Sequence, residues 1–279
     1  MKLASLLTCC FLGGLAATAG AADPSAAPPT DQKPSRLTEM QARIDELELK
    51  TTGPEAHRLA RSEHAILRYT NPIAGGTSQA ATFLWLDGKR PAAAISLSYR
   101  PGGRIWWELT SLSDDPLELR KDMELVWKPT ASSRKFERFP DSPVPAATPA
   151  ARLTQLRELS RRFTVREFRR EQWQDGRLLT QPLYRWSDEA AGTVDGAIFG
   201  YAETTDPELL LIIETRQTQG LSDGEWRFAL AKMTSAPMIV TLADKEIYNV
   251  PGYWSSPRSP QDPYLEQSID TYEVESPAQ

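Results

Sequence analysis

The sequence predicts an α+β domain, and three observations carry that expectation. Apolar residues recur at helical spacing near the start and in the middle of the chain. Between and after those segments the period changes to two. Asp-Gly pairs then sit at or near the joints of the period-two runs, where hairpin turns need a residue that tolerates positive φ.

The 279-residue chain opens with Met1-Lys2 and an apolar run from Leu3 to Ala17 that ends on small residues at Ala22. A basic start, a short apolar stretch and Ala-x-Ala sites such as Ala17-Thr18-Ala19 are the pattern of a cleavable secretory signal, expected over residues 1–22. Cys9 and Cys10 raise acylation as an alternative, but Thr8 stands where a smaller residue belongs and the apolar run continues past both. Cleavage would leave a chain with no thiol nucleophile, disulfide or cysteine metal ligand. Export to the periplasm or beyond follows from this reading, with no stable membrane span after cleavage.

Residues 23–34, with Pro24, Pro28, Pro29 and Pro34, read as an extended tether. Helical spacing begins after Ser35, with Leu37, Met40, Ile44 and Leu47 on one stripe. Two heptads are too short for an independent coiled coil, so this helix is expected to dock on the main body. Gly53-Pro54 breaks the pattern, and a second helix is expected from Glu55 to Arg68, with Pro54 in its first turn.

An antiparallel meander follows: Ala81–Leu86, Asp87-Gly88, Ala92–Tyr99, Arg104–Leu112, then Met123, Leu125 and Trp127 in alternation. Prolines 140, 143, 145 and 149 make residues 139–150 a loop or linker. Thr148-Pro149 is an N-cap and first helical position, and the helix is expected to reach Phe163. A longer meander runs from Thr164 to Val250, punctuated by Asp175-Gly176, Asp195-Gly196 and Asp223-Gly224. Residues 35–250 are read as a single globular domain, and 251–279 as a Pro-rich, acidic, loose tail whose tyrosines and Trp254 can bind back.

Five stretches together resemble a family of exported bacterial proteins to which no activity is assigned. They are Phe83–Pro91, Glu108–Leu119, Arg152–Phe163, Leu179–Trp186 and Asp195–Glu214. The resemblance spans most of residues 65–250 and implies one domain. It carries over no functional residue.

Composition excludes more than it selects. A net charge of −5 argues against nucleic acid as the main partner. The phosphate-loop, dinucleotide-binding, hydrolase-elbow and zinc-protease motifs are all missing, and no segment matches the EF-hand loop. No cofactor or metal site is expected. His57 and His64, seven residues apart on the expected helix, would be separated by about 10.5 Å of rise, too far to share a metal. Carboxylates such as Glu108, Asp114, Asp115, Glu203, Asp206, Glu208 and Glu214 leave room for an acid/base pair, although 37 acidic residues guarantee neighbours by chance. The arginines from Arg152 to Arg170 are interleaved with Glu158 and Glu167, the pattern of a solvated mixed-charge surface.

Tryptophan is the remaining signal, with eight in the chain. If Ile105, Trp107 and Leu109 face inward, Trp106 faces outward between Arg104 and Glu108. An exposed indole flanked by hydrogen-bonding charges suits stacking on a sugar ring or an extended peptide. The ligand-binding candidates are therefore Arg104, Trp106 and Glu108. The leading expectation is an exported, non-enzymatic domain that binds an envelope or extracellular protein or polysaccharide through its sheet. A carboxylate-based hydrolase is the alternative, and an assembly factor docking through its N-terminal helices is a third.

Overall fold

The computed structural model describes residues 35–71, 78–129, 135–216, 224–253 and 258–272. The expected signal, the tether and both cysteines lie outside the described residues. The described residues form one compact unit.

The architecture is mostly β, which corrects the α+β expectation: among the described residues strands take 54% and helix 10%, in large antiparallel sheets that form a half-barrel. In chain order, helix α1 (Arg36–Asp45) precedes strands β1 (Leu47–Thr51), β2 (Ala60–Arg61), β3 (Leu67–Asn71), β4 (Ser78–Asp87), β5 (Arg90–Arg100), β6 (Arg104–Ser111), β7 (Leu117–Lys121), β8 (Glu124–Trp127) and β9 (Glu137–Arg138). Helix α2 (Pro149–Ser160) leads to β10 (Phe163–Arg169), β11 (Gln172–Leu178), β12 (Tyr184–Asp188), β13 (Thr193–Ala202) and β14 (Leu209–Arg216). The last strands are β15 (Glu225–Lys232), β16 (Met238–Leu242), β17 (Lys245–Val250) and β18 (Tyr264–Thr271).

Three corrections have physical causes. The expected 55–68 helix is absent: that stretch becomes β2 and β3, both laid against β4. Its helical signals were one proline and local propensity, and a long buried strand offers more hydrogen bonds and apolar contact than an isolated helix. Next, α1 ends at Asp45, so Leu47 belongs not to the helical stripe but to β1, where Leu47, Leu49 and Thr51 alternate inward. Finally, the expected loose tail contains β18, which pairs with β6 along its length and buries Tyr264 and Leu265.

Sheet order places β18-β6-β5-β4-β2 in one sheet, with β3 also on β4, and β17-β16-β10-β11-β13-β14-β15-β9 in the largest, with β12 on β13. A third, small sheet runs β1-β7-β8. The sheet containing β5 is apolar on both faces. One face packs with Met40 and Ile44 of α1 and with Leu49, Leu119 and Trp127 of the small sheet. The other meets the largest sheet through Leu84, Ala94, Ile198, Leu210, Ile212 and Ala229. The far face of the largest sheet closes on Leu156, Leu159, Phe163 and Val240. Each fully buried large side chain in these layers contributes about 1.5–3 kcal/mol.

Candidate functional site

The apolar layer between the two large sheets gives way to charge at one end. There β5 brings Ser98 and Arg100, β6 brings Glu108 and β18 brings Glu266, facing Arg169 from β10 and Asp206 and Glu208 from the β13–β14 connection. Together with Tyr69, Asn71, Thr234 and Ser235 they line a polar chamber of about 160 Å³.

Two arginines organise it. Arg100 reaches Glu108 at 2.7 Å and Glu266 at 3.1 Å. Arg169 reaches Glu208 and Glu167, each at 2.8 Å, and lies 4.0 Å from Glu203. The contact with Glu167 is a close ion pair without aligned hydrogen bonds, since neither Glu167 oxygen nor Arg169 Nε meets hydrogen-bond geometry. Lys232 is buried beneath them and donates to the carbonyls of Pro251 and Gly252 at 2.6 and 2.7 Å. Burial dominates the titration of the chamber. It pushes Glu108 up to about 8, with Glu266 adding to the rise and Arg100 opposing it. It raises Glu208 and Glu167 in the same way, against Arg169, and lowers Lys232 to about 8. The carboxylates outnumber the cations, and burial favours the protonated forms of Glu108, Glu167 and Glu208.

Glu167, Glu203 and Glu208 place carboxylate oxygens within 4.8 Å of one another, a spacing that suits a metal. The Arg169 guanidinium already supplies the positive charge for that trio, so these residues fit a salt-bridge network better than a cation site.

Glu266 also borders a second, larger space. A groove of about 890 Å³ runs along the outer edge of β18 and is lined by Trp106, Trp107, Lys121, Glu124, Leu125, Val126, Arg258 and Leu265. The sequence candidates therefore separate. Trp106 is half-buried and lines the groove, while Glu108 lines the chamber. Arg104 is exposed at the start of β6 and lines neither. The cation that attends Trp106 is instead Arg100, 4.6 Å from the indole centroid. The alternation that sends Ile105, Trp107 and Leu109 inward is observed. Full exposure of Trp106 is not, because Arg100 covers one side and β18 closes over β6.

Reasoning from sequence missed Arg100 and Glu266. Arg100 sits at the end of a strand beside Pro101-Gly102 and reads as a turn residue; Glu266 sits in the segment taken for a tail. Neither histidine joins that carboxylate trio. His57 lies in a loop 3.0 Å from Asp87, with its pKa raised first by the Glu55 carbonyl and then by Asp87, and His64 is exposed. A further aromatic pair escaped notice: Phe168 and Trp173 face each other across β10 and β11, 40% and 36% exposed.

Among the described residues, no helix is long and apolar enough to cross a membrane. The chain matches no protein-family model, no curated protein and no solved structure.

Proposed function

We propose that the chain is a non-enzymatic binding domain, exported from the cytoplasm, that recognises a cell-envelope or extracellular component, protein or polysaccharide, at the groove beside Trp106. The observation that carries this reading is an indole held on the groove wall by a guanidinium that is itself fixed by two carboxylates. Arg100, fixed by Glu108 and Glu266 on the chamber side, braces Trp106 at the groove, so a ligand stacking there would cost little conformational entropy in the protein. The groove also falls in the 300–1,000 Å³ range of ligand sites.

The test is a thermal-shift screen of the purified chain against envelope glycans, peptides and divalent ions. A ligand at 100 times its dissociation constant adds about 2.7 kcal/mol and moves the melting point visibly. A shift that disappears in Trp106→Ala supports the reading. A shift unchanged in that variant removes the groove wall from the site.

One observation favours a second reading, a carboxylate-based hydrolase. Glu108 and Glu266 are cross-strand partners, and burial keeps Glu108 protonated up to about pH 8, the state a general acid needs. Purified protein that cleaves a glycan, and loses that activity in Glu108→Gln and Glu266→Gln, would establish it in place of the binding reading.

A further inference from the structure

We infer that the groove receives an extended polypeptide, which adds as a strand between β18 and β8; the inference rests on the binding reading above and names its ligand. The argument begins with hydrogen-bond parity. Ser111 N–H donates to the Pro263 carbonyl, and Leu112 N–H donates to the Ala92 carbonyl. Odd-numbered β6 residues thus face β18 and even-numbered ones face β5. In the observed register, Leu265 and Gln267 spend their backbone groups on β6, whereas Tyr264, Glu266 and Ser268 point theirs away from it, into the groove. The Glu266 carbonyl confirms the direction, since it accepts from Arg258 Nη1 at 2.9 Å, where a neighbouring strand's N–H would donate.

The opposite wall behaves alike. Lys121 and Glu124 pair across the β7–β8 turn, so Leu125 directs its backbone groups away from β7. Its side chain is 51% exposed, and Met123 at the turn is 83% exposed. The two strand edges are tied at one end, where Lys128 N–H donates to Pro260 and the Trp127 indole N–H to Asp262, both at 2.8 Å. They stand apart along the groove, two sheet edges with room between them. Exposed edges are normally short or covered. The bulge between Ser268 and Asp270 limits the pairing to the first part of β18.

The lining states the peptide's chemistry. Leu125, Val126, Trp107 and Leu265 ask for apolar side chains on one face. Lys121 is engaged by Glu46 and Arg258 by Glu266, whereas Asp122 and Glu124 stand exposed at the mouth. An extended peptide alternating apolar and basic residues matches both features.

The probe is a capped hexapeptide alternating valine and lysine, titrated calorimetrically into the purified full chain. Two analogues carry N-methyl groups on the odd or on the even backbone amides, and chito-oligosaccharide serves as the glycan probe. Strand addition predicts that at least one N-methylated analogue binds about tenfold or more weakly, since its side chains are unchanged and only donors are lost. Ser268→Pro, which removes an outward N–H and spares the β6 bonds, should weaken the parent peptide similarly. Equal binding of all three peptides overturns strand addition while leaving a binding groove. Glycan binding lost in Trp106→Ala, with no peptide binding, overturns the polypeptide ligand alone. Silence from peptide and glycan alike overturns both readings.

Discussion

Glu108 and Glu266 stand directly opposite one another on adjacent antiparallel strands, and one guanidinium, Arg100, holds both. Like charges in that position repel, so the arginine and the retained proton on Glu108 are what make the pairing tolerable. Arg100→Gln should therefore destabilise the fold by on the order of 3 kcal/mol, because it strands two mostly buried carboxyls. Adding Glu108→Gln should recover part of the loss. Urea midpoints of the two variants measure this, and a double variant no better than the single would show the carboxyls are not in conflict.

Buried and ion-paired carboxyls, Glu118 of β7 and Glu108 of the chamber, also set a pH profile. Glu118 is held down at about 2 by Arg120, Lys128 and Lys50, against an ordinary value of 4.5. Between those values the unfolded chain binds more protons, so stability falls as pH drops through that window. Glu108 works in the opposite sense. Its folded value of about 8 means that the folded chain holds the extra proton between pH 4.5 and 8, and stability declines as pH rises through it. Lys232, lowered to about 8 from 10.5, restores stability above pH 8. Denaturant midpoints should accordingly peak near pH 5 and dip near pH 8, and Glu108→Gln should flatten the decline between them. A profile that rises steadily from pH 5 to 8 would contradict the chamber's electrostatics.

Gly196→Ala should be among the costliest small substitutions. A Cβ there would collide with the Trp186 ring, which is packed on the glycine and cannot move without opening the layer between the sheets. Overpacking of this kind costs about 1–3 kcal/mol or more. Gly53→Ala, where nothing lies within 4 Å but φ is +128°, isolates backbone strain for comparison. Thermal melts of the pair separate the two causes, and an unperturbed Gly196→Ala would mean the indole has room to shift.

Truncation after Asp262 should abolish cooperative unfolding. It removes β18, exposes the β6 edge and deletes Tyr264 and Leu265 from the core. Loss of two such side chains alone costs about 3–6 kcal/mol, comparable to the whole stability of many domains. Calorimetry of the truncated chain decides it; a sharp transition would return β18 to the status of an accessory strand.

Much of the sheet was legible in the sequence because period two survives wherever one face is covered differently from the other. β6 is the clearest case, with Ile105, Trp107 and Leu109 inward as expected. The Asp-Gly signals misled in two places. Asp175-Gly176 lies inside β11 and Asp195-Gly196 inside β13. Turns elsewhere use Asp122-Met123, Arg170-Glu171 and Ala243-Asp244, all with positive φ and none with glycine. Gly196 serves by lacking a side chain where Trp186 packs, not by turning, and a contact between paired strands leaves no local mark in the sequence. The site was half legible for the same reason. Trp106 and Glu108 stand out within one strand, whereas Arg100 and Glu266 acquire meaning only once β5 and β18 flank it.

The placement of β18 bears on how the molecule assembles. Trp127 finds the carbonyl that satisfies its indole N–H only at Asp262, 135 positions later. The sheet begun by β4, β5 and β6 therefore has an open border until everything between has been made. Long-range pairing of this kind folds slowly and leaves an unsatisfied border in the meantime. A chain delivered from its N-terminal end would present that border to whatever handles it, and the final strand would act as the latch that ends the exposure.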